Sequence, residues 1–70
     1  MTFIELMNKY CPDLAPMTSN KLRDMIGIEY TEPCRRWLRG HYKPSKVYVD
    51  KIARAIRMES AELQRMIDEI

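Results

Sequence analysis

The residues best suited to chemistry are basic side chains concentrated in the middle of the chain. Five of the twelve Lys and Arg residues lie between positions 35 and 46, together with the only Trp and the only His. Guanidinium and ammonium groups bind phosphate and carboxylate oxygens through charge-assisted hydrogen bonds. The sequence therefore indicates a surface for an anionic partner. Its five cations are Arg35, Arg36, Arg39, Lys43 and Lys46.

The net charge of the whole chain hides how basic this middle part is. The formal net charge is +2 at pH 7. Residues 35–57 carry eight Lys or Arg side chains against one Asp, a net charge of +7. Residues 1–34 have three cations against five acids, a net −2, and residues 58–70 have one cation against four acids, a net −3. Such separation of charge is typical of proteins that bind a polyanion.

Residue types that support catalysis or metal binding are too few or too scattered to form a site. The chain has one His and two Cys residues, and Cys11 and Cys34 do not form a C-x-x-C pair. It has no glycine-rich phosphate loop and no recognisable Ser, His and Asp set. We therefore expect no enzyme, no cofactor, no metal and no small-molecule substrate. We expect both cysteines to be free thiols in a reducing cytoplasm.

Chain length and hydropathy favour a single small domain without a membrane segment. Seventy residues bury only about 60% of the surface that the unfolded chain exposes, so the core must be compact or completed by a partner. The amino-terminal stretch MTFIELMNKYCP contains Glu5 and no long apolar run. We therefore expect neither a signal peptide nor a membrane-spanning helix.

Apolar residues recur at helical spacing in five short segments along the chain. No stretch alternates with the period of two that a half-buried strand requires. We therefore predict an all-α fold, a compact bundle of about five short helices. The residues predicted to face the core are Phe3, Leu6, Met7 and Tyr10; Leu22, Met25 and Ile26; Cys34, Trp37 and Leu38; Tyr48 or Val49, with Ile52, Ala55 and Ile56; and Leu63, Met66, Ile67 and Ile70.

Polar residues and glycines mark where these helices begin and end. Thr2, with Glu5 three residues later, has the pattern of a capping box. Side-chain oxygens at an N-cap accept hydrogen bonds from the first free amides of a helix, and glycine tolerates the left-handed conformation that often ends one. The other predicted caps are Thr18, Thr31 and Ser45 at helix starts, and Gly27 and Gly40 at helix ends.

The third helix combines an apolar stripe with basic side chains. Cys34, Trp37 and Leu38 fall on one side, so the neighbouring arginines must fall on the remaining faces. A short helix precedes it, followed by a tight turn that Gly27 opens and Ile28 anchors. A short helix, a tight turn and a second helix form a helix-turn-helix layout.

This order of residues resembles the lambda-repressor-like family of DNA-binding proteins, also called the Cro/CI or XRE type. The resemblance covers residues 2–68 in element order and residues 18–40 as a motif. The chain departs from the family pattern at Arg23, where a small residue is usual, and in a turn one residue longer than usual. The matching residues are Thr18, Leu22, Ile26, Gly27, Ile28, Cys34 and Trp37–Gly40 (W-L-R-G), followed downstream by Pro44, Ile52–Ile56 and Glu62–Leu63.

The resemblance implies that residues 1–70 form a single helix-turn-helix domain that binds double-stranded DNA. It implies a sequence-specific transcriptional regulator, a Cro/CI-like repressor in the cytoplasm of a bacterium or phage-infected cell, with helix 31–39 in the major groove. Related repressors commonly dimerise, which implies a possible homodimer. The implied base contacts are Thr31, Glu32, Arg35 and Arg36; the implied phosphate contacts are Ser19, Arg39, His41, Tyr42, Lys43 and Lys46; and the implied dimer contacts are Leu63, Met66, Ile67 and Ile70.

Other interpretations fit the same sequence. The chain could be a protein-interaction module, such as an antitoxin or an inhibitor, that presents its basic face to an acidic partner. It could also be a recombination-directionality factor that bends DNA. The apolar stripe of the fifth helix either closes the core of the monomer or pairs with a second copy. The row formed by Lys51, Arg54 and Arg57 faces solvent, where it either contacts DNA or only keeps the protein soluble.

Overall fold

Five α-helices and one short 3₁₀ turn make up the fold, which contains no β-strand. The structure is a computed structural model that describes residues 1–70. The all-α prediction is confirmed. The elements are α1 (Phe3–Tyr10), the 3₁₀ turn (Pro12–Leu14), α2 (Ser19–Ile26), α3 (Glu32–Leu38), α4 (Lys46–Ile56) and α5 (Ser60–Asp68).

The predicted capping box closes the start of α1. The Glu5 amide donates to Thr2 Oγ1 at 3.2 Å, and the Thr2 amide donates to Glu5 Oε1 at 3.0 Å. The hydrogen bonds from the Thr2 backbone and side chain lower the pKa of Glu5. The stabilisation that the ionised carboxylate gives is therefore fully present above the ordinary pKa of a glutamate, and is lost as the pH falls through the lowered pKa.

The predicted caps of the other helices are confirmed in part. Thr18 Oγ1 accepts from the Lys21 amide at 3.2 Å, and Gly27 ends α2 with φ of 72°. Thr31 and Ser45 stand at the N-cap positions of α3 and α4, but their side chains accept no capping hydrogen bond, so that part of the prediction is wrong. Thr31 has helical backbone angles (φ −84°, ψ −19°), whereas a capping side chain usually needs an extended backbone.

Gly40 directs the chain out of α3. Its φ is 79°, its amide donates to the Trp37 carbonyl at 3.0 Å, and the His41 amide donates to the Arg36 carbonyl at 3.1 Å. These two bonds form a Schellman motif, which satisfies free carbonyls at a helix end. The motif fixes the direction of the following loop, which carries Tyr42 and Lys43.

The core draws on all five helices and centres on Trp37. The indole is 4% exposed. Its ring lies edge-on to Phe3 of α1, with centroids 6.4 Å apart, and tilted against Tyr48 of α4, with centroids 4.9 Å apart. Cys11 and Met17, in the connection between α1 and α2, are also buried in this core, although the sequence analysis treated that segment only as a connection.

The inward face of α4 differs from the prediction at one residue. Ala55 is exposed, whereas Ala53 is buried beside Val49 and Ile52. Ala53 lies one helical turn after Val49, while Ala55 is rotated about 120° from Val49 around the axis. The sequence left Tyr48 and Val49 as alternative starting points for the stripe. Val49 is the buried one, and Tyr48 is half-buried.

The apolar stripe of α5 closes the core of the monomer. Leu63 and Ile67 are fully buried within the single chain, and α5 packs against α4. Neither side chain has surface left for the expected dimer contact, because both are used in the core of the single chain. Met66 is half-buried and Ile70 is exposed.

The end of α4 generates a stability prediction. Arg57 adopts the left-handed conformation, with φ of 59°, while the Met58 amide donates to the Ala53 carbonyl at 2.9 Å. A residue with a Cβ loses about 1–2 kcal/mol in this conformation, and glycine does not, although glycine loses more entropy on folding. We expect Arg57→Gly to raise the free energy of unfolding by about 0.5–1 kcal/mol, measured by urea denaturation.

Arg54 provides the matched control for this prediction, because it is an exposed arginine inside the same helix. We expect Arg54→Gly to lower the free energy of unfolding by about 1 kcal/mol, since glycine is a poor helix former. Equal losses of stability in both variants would contradict the assigned strain at Arg57.

Candidate nucleic-acid interface

Burial of one side of α3 determines which of its residues face solvent. The helix packs against α1 and α2, with Cys34 fully buried and Trp37 nearly so. The turn between α2 and α3 begins at Gly27, and the half-buried Ile28 packs against the core. The first helix, the turn and the second helix of the predicted layout are therefore all present, with α3 held firmly at its inner face.

The five predicted cations are all exposed, and we call them together the basic surface. All of its members are exposed, three on α3 and two in the loop and first turn that follow. The loop residues His41 and Tyr42 are exposed as well. The basic surface consists of Arg35, Arg36, Arg39, Lys43 and Lys46.

Glu32 lies between two of these arginines. Arg35 Nη1 donates to Glu32 Oε2 at 3.0 Å, and Arg36 Nε donates to Glu32 Oε1 at 3.3 Å. The three side chains are between 47% and 56% exposed. Ion pairs exposed to this degree contribute at most about 1 kcal/mol each. Glu32 therefore holds the guanidinium groups in place without removing them from solvent.

Two further contacts position the basic surface. The guanidinium carbon of Arg36 lies 5.7 Å from the centroid of the Tyr42 ring, a cation–π arrangement. Lys43 Nζ donates to the Asp68 carbonyl at the end of α5, at 3.3 Å. The loop after α3 is thus tied to α3 at one point and to α5 at another.

The remaining predicted contact residues lie at helix starts. Thr31 is half-buried at the N-cap of α3. Ser19 is half-buried at the first position of α2, a helix that packs against α3. The basic residues Lys51, Arg54 and Arg57 are exposed, as predicted, on α4 and at its end.

Arg23 lies on α2, at the position where the lambda-repressor-like family, which the sequence resembles, usually has a small residue. Its side chain is 33% exposed, and its Nη2 donates to Asp24 Oδ1 at 3.0 Å. Long side chains of this type cover apolar surface with their carbon chain while the charged end reaches water. Burial raises the pKa of the Cys34 thiol, and the nearby Arg23 charge partly offsets that rise. Arg23 thus fits beside the α2–α3 contact as a half-buried residue.

One feature of this face is not predicted by the sequence, an open groove of about 450 Å³ beside α3. Tyr30, in the turn before α3, and Tyr42, in the loop after it, are 68% and 63% exposed and both line the groove. An aromatic residue in a polar turn was the available signal for Tyr30. That Tyr30 and Tyr42 line the same groove could not be read from the sequence, because eleven residues separate the two.

Comparison with protein-family models, with curated proteins and with solved structures found no match for this chain. No helix of the structure has the length and apolar character needed to cross a membrane. No group of three or more His, Cys, Asp or Glu side chains is placed to hold a metal ion.

The two thiols give a prediction about pH. Burial raises the pKa of both Cys11 and Cys34 above the value they have in the unfolded chain. The unfolded chain therefore releases these protons first, so the stability is fully present below about pH 8.5 and declines as the pH rises toward the raised pKa values. We expect the free energy of unfolding to fall as the pH rises from about 8.5 to about 9.5.

A variant that carries Cys11→Ala and Cys34→Ala should show a smaller decline over the same range, although its stability at neutral pH is lower. Urea denaturation at each pH measures both proteins. Parallel pH profiles for the two would show that the thiols are not the cause.

Proposed function

We propose that this chain binds double-stranded DNA in a sequence-dependent way, as a small repressor that occupies an operator with α3 in the major groove. The observation that carries the proposal is the two-sided character of α3. One side buries Cys34 and Trp37, and the other presents the arginines of the basic surface to solvent. A protein of this kind needs no cofactor, and the cytoplasm of a bacterium or a phage-infected cell is the expected location.

The dimensions of α3 suit a major groove. An α-helix with its side chains is about 10–12 Å across, and the major groove is about 12 Å wide, so α3 can lie in it. In this arrangement Arg36, on the exposed side of α3 in its last turn, is the best base reader, because a guanidinium can pair with both O6 and N7 of guanine. Arg39, Lys43 and Lys46 then hold phosphates and fix the position of the helix along the duplex.

The Glu32 ion pairs are compatible with this arrangement. A bidentate contact to guanine contributes about 1–3 kcal/mol of discrimination, whereas an exposed ion pair contributes at most about 1 kcal/mol. Arg36 can therefore exchange Glu32 for a base. The released carboxylate can accept a hydrogen bond from a cytosine amino group.

The proposal includes a homodimer through α5, but with fewer contact residues than first expected. Of the four residues first expected there, Met66 and Ile70 alone keep exposed surface. A two-fold dimer would place two α3 helices on half-sites about one helical turn of DNA apart.

One observation favours a second candidate, a protein-interaction module. Tyr30 and Tyr42 are exposed beside arginines, and Tyr and Arg are the residues enriched in the energetic centres of protein interfaces. Heparin binding followed by competition with random duplex DNA distinguishes the two candidates. If the protein binds heparin but does not bind duplex DNA at low salt, and instead binds one acidic protein, the interaction module is supported.

Arg36→Ala tests the proposed base reader. We expect it to weaken binding to a duplex selected from a random pool by about 5-fold to 150-fold, and to reduce the preference for that duplex over random DNA. Arg39→Ala should instead weaken both duplexes about equally and reduce the salt slope of log affinity by about 1. Fluorescence anisotropy over a range of salt concentrations measures both effects.

Lys9→Ala is the control for these substitutions. Lys9 is an exposed lysine on α1, over the Tyr10 ring and outside the basic surface. It should leave affinity and salt slope unchanged. If Arg36→Ala also leaves both unchanged, the role assigned to Arg36 is wrong.

Glu32→Gln tests the carboxylate between the arginines. We expect affinity for random duplex DNA to rise by about twofold to fivefold, because the change removes a negative charge and releases two guanidinium groups. If Glu32 reads cytosine in the selected duplex, the preference for that duplex falls at the same time. Unchanged binding to both duplexes would place Glu32, Arg35 and Arg36 away from the DNA.

A further inference from the structure

The groove beside α3 combines exposed aromatic rings with cations. We call it the aromatic groove. It is an open surface groove of about 450 Å³ between the turn before α3, the outer side of α3 and the loop after it. The residues that matter for its chemistry are Tyr30, Arg36, Trp37, Tyr42, Lys43 and Tyr48.

The rings of the aromatic groove differ in how they are held. Trp37 and Tyr48 pack against each other and form a fixed floor, with the indole almost entirely buried. Tyr30 and Tyr42 are among the few large hydrophobic side chains of the molecule that remain exposed. Exposed aromatic faces that flank a concave surface mark a binding site more often than isolated ones do.

The cations of the groove are positioned beside these exposed rings. Arg36 lies over the Tyr42 ring, and Lys43 follows Tyr42 directly in the chain. Glu32 is the only acidic residue that lines the groove. A ligand that fits must therefore offer a flat ring for stacking and a negative charge next to it. A nucleotide offers both, and proteins that bind single strands use aromatic rings for the bases and cations for the backbone.

We propose that the aromatic groove binds one unpaired nucleotide of a DNA strand. Its base stacks against the exposed rings of Tyr30 and Tyr42. Its phosphate pairs with Arg36 and with Lys43, whose exposed hydrogen bond to the Asp68 carbonyl it replaces. This inference rests on the proposed function, because it places the strand on the same basic surface, and it adds a site for a base that is not paired.

The test compares a short oligodeoxythymidine strand with an abasic strand of equal length, which has the same phosphates but no bases. Trp37 is the only tryptophan and lies in the floor of the groove, so its fluorescence reports occupancy directly. We expect the thymidine strand to bind at least about tenfold more tightly than the abasic strand. Tyr30→Ala should remove most of this difference and leave binding of the abasic strand unchanged. Tyr42→Ala should also remove most of the difference, and it should weaken binding of the abasic strand as well, because the Tyr42 ring holds the Arg36 guanidinium.

Two variants make the test specific to the rings. Tyr42→Phe should keep the preference for the thymidine strand, because the stacking surface remains. Val47→Ala changes an exposed apolar residue that does not line the groove, and it should have no effect. Equal binding of the two strands by the wild-type protein, or an unchanged preference in both alanine variants, would overturn the inference.

A fully paired duplex separates this inference from the proposed function. If the protein binds the duplex but does not distinguish the thymidine strand from the abasic one, the proposed function stands and the nucleotide site in the groove is wrong. If the protein prefers the thymidine strand but does not bind the duplex, the nucleotide site in the groove stands and the proposed function is wrong.

Discussion

The burial of one side of α3 is the constraint on which the rest of the structure depends. Trp37 contacts Phe3 of α1 and Tyr48 of α4, so a single side chain joins three helices. A chain of this size has a small core, and few residues contribute to it. Rotating α3 about its axis would expose Trp37 and the fully buried Cys34. The hydrophobic effect therefore also fixes where the arginines of that helix point.

Electrostatics on the outer side of α3 follows from this anchoring. Arginines close together on a short helix repel one another, and Glu32 reduces that repulsion by accepting from Arg35 and Arg36. Tyr42 holds the Arg36 guanidinium from the other side. Both contacts are exposed and individually weak, so a phosphate or a base can replace them. Arg35 and Arg36 are thus held in place in the free protein while their guanidinium groups remain exposed.

Local interactions explain why much of the fold could be predicted from the sequence. A capping box needs only Thr2 and Glu5 at the right spacing, and a left-handed helix end needs only a residue such as Gly27 or Gly40. The apolar spacing of Cys34 and Trp37 likewise predicted which side of α3 is buried. All of these depend on residues within about one helical turn of each other. For the same reason the exposed positions of the basic surface followed from the sequence.

Choices between nearly equivalent patterns, and contacts between distant segments, were decided only by the tertiary structure. The sequence placed Ala55 on the inward face of α4, but packing against α2 and α5 buries Ala53 instead and leaves Ala55 exposed. The stripe of α5 suited either a monomer core or a dimer, and contact with α4 placed Leu63 and Ile67 in the core. The aromatic groove joins a turn to a loop across the width of α3. The sequence by itself determined the helices and the exposed charges, because periodicity and capping act locally, whereas the groove exists only once α3 is packed in place.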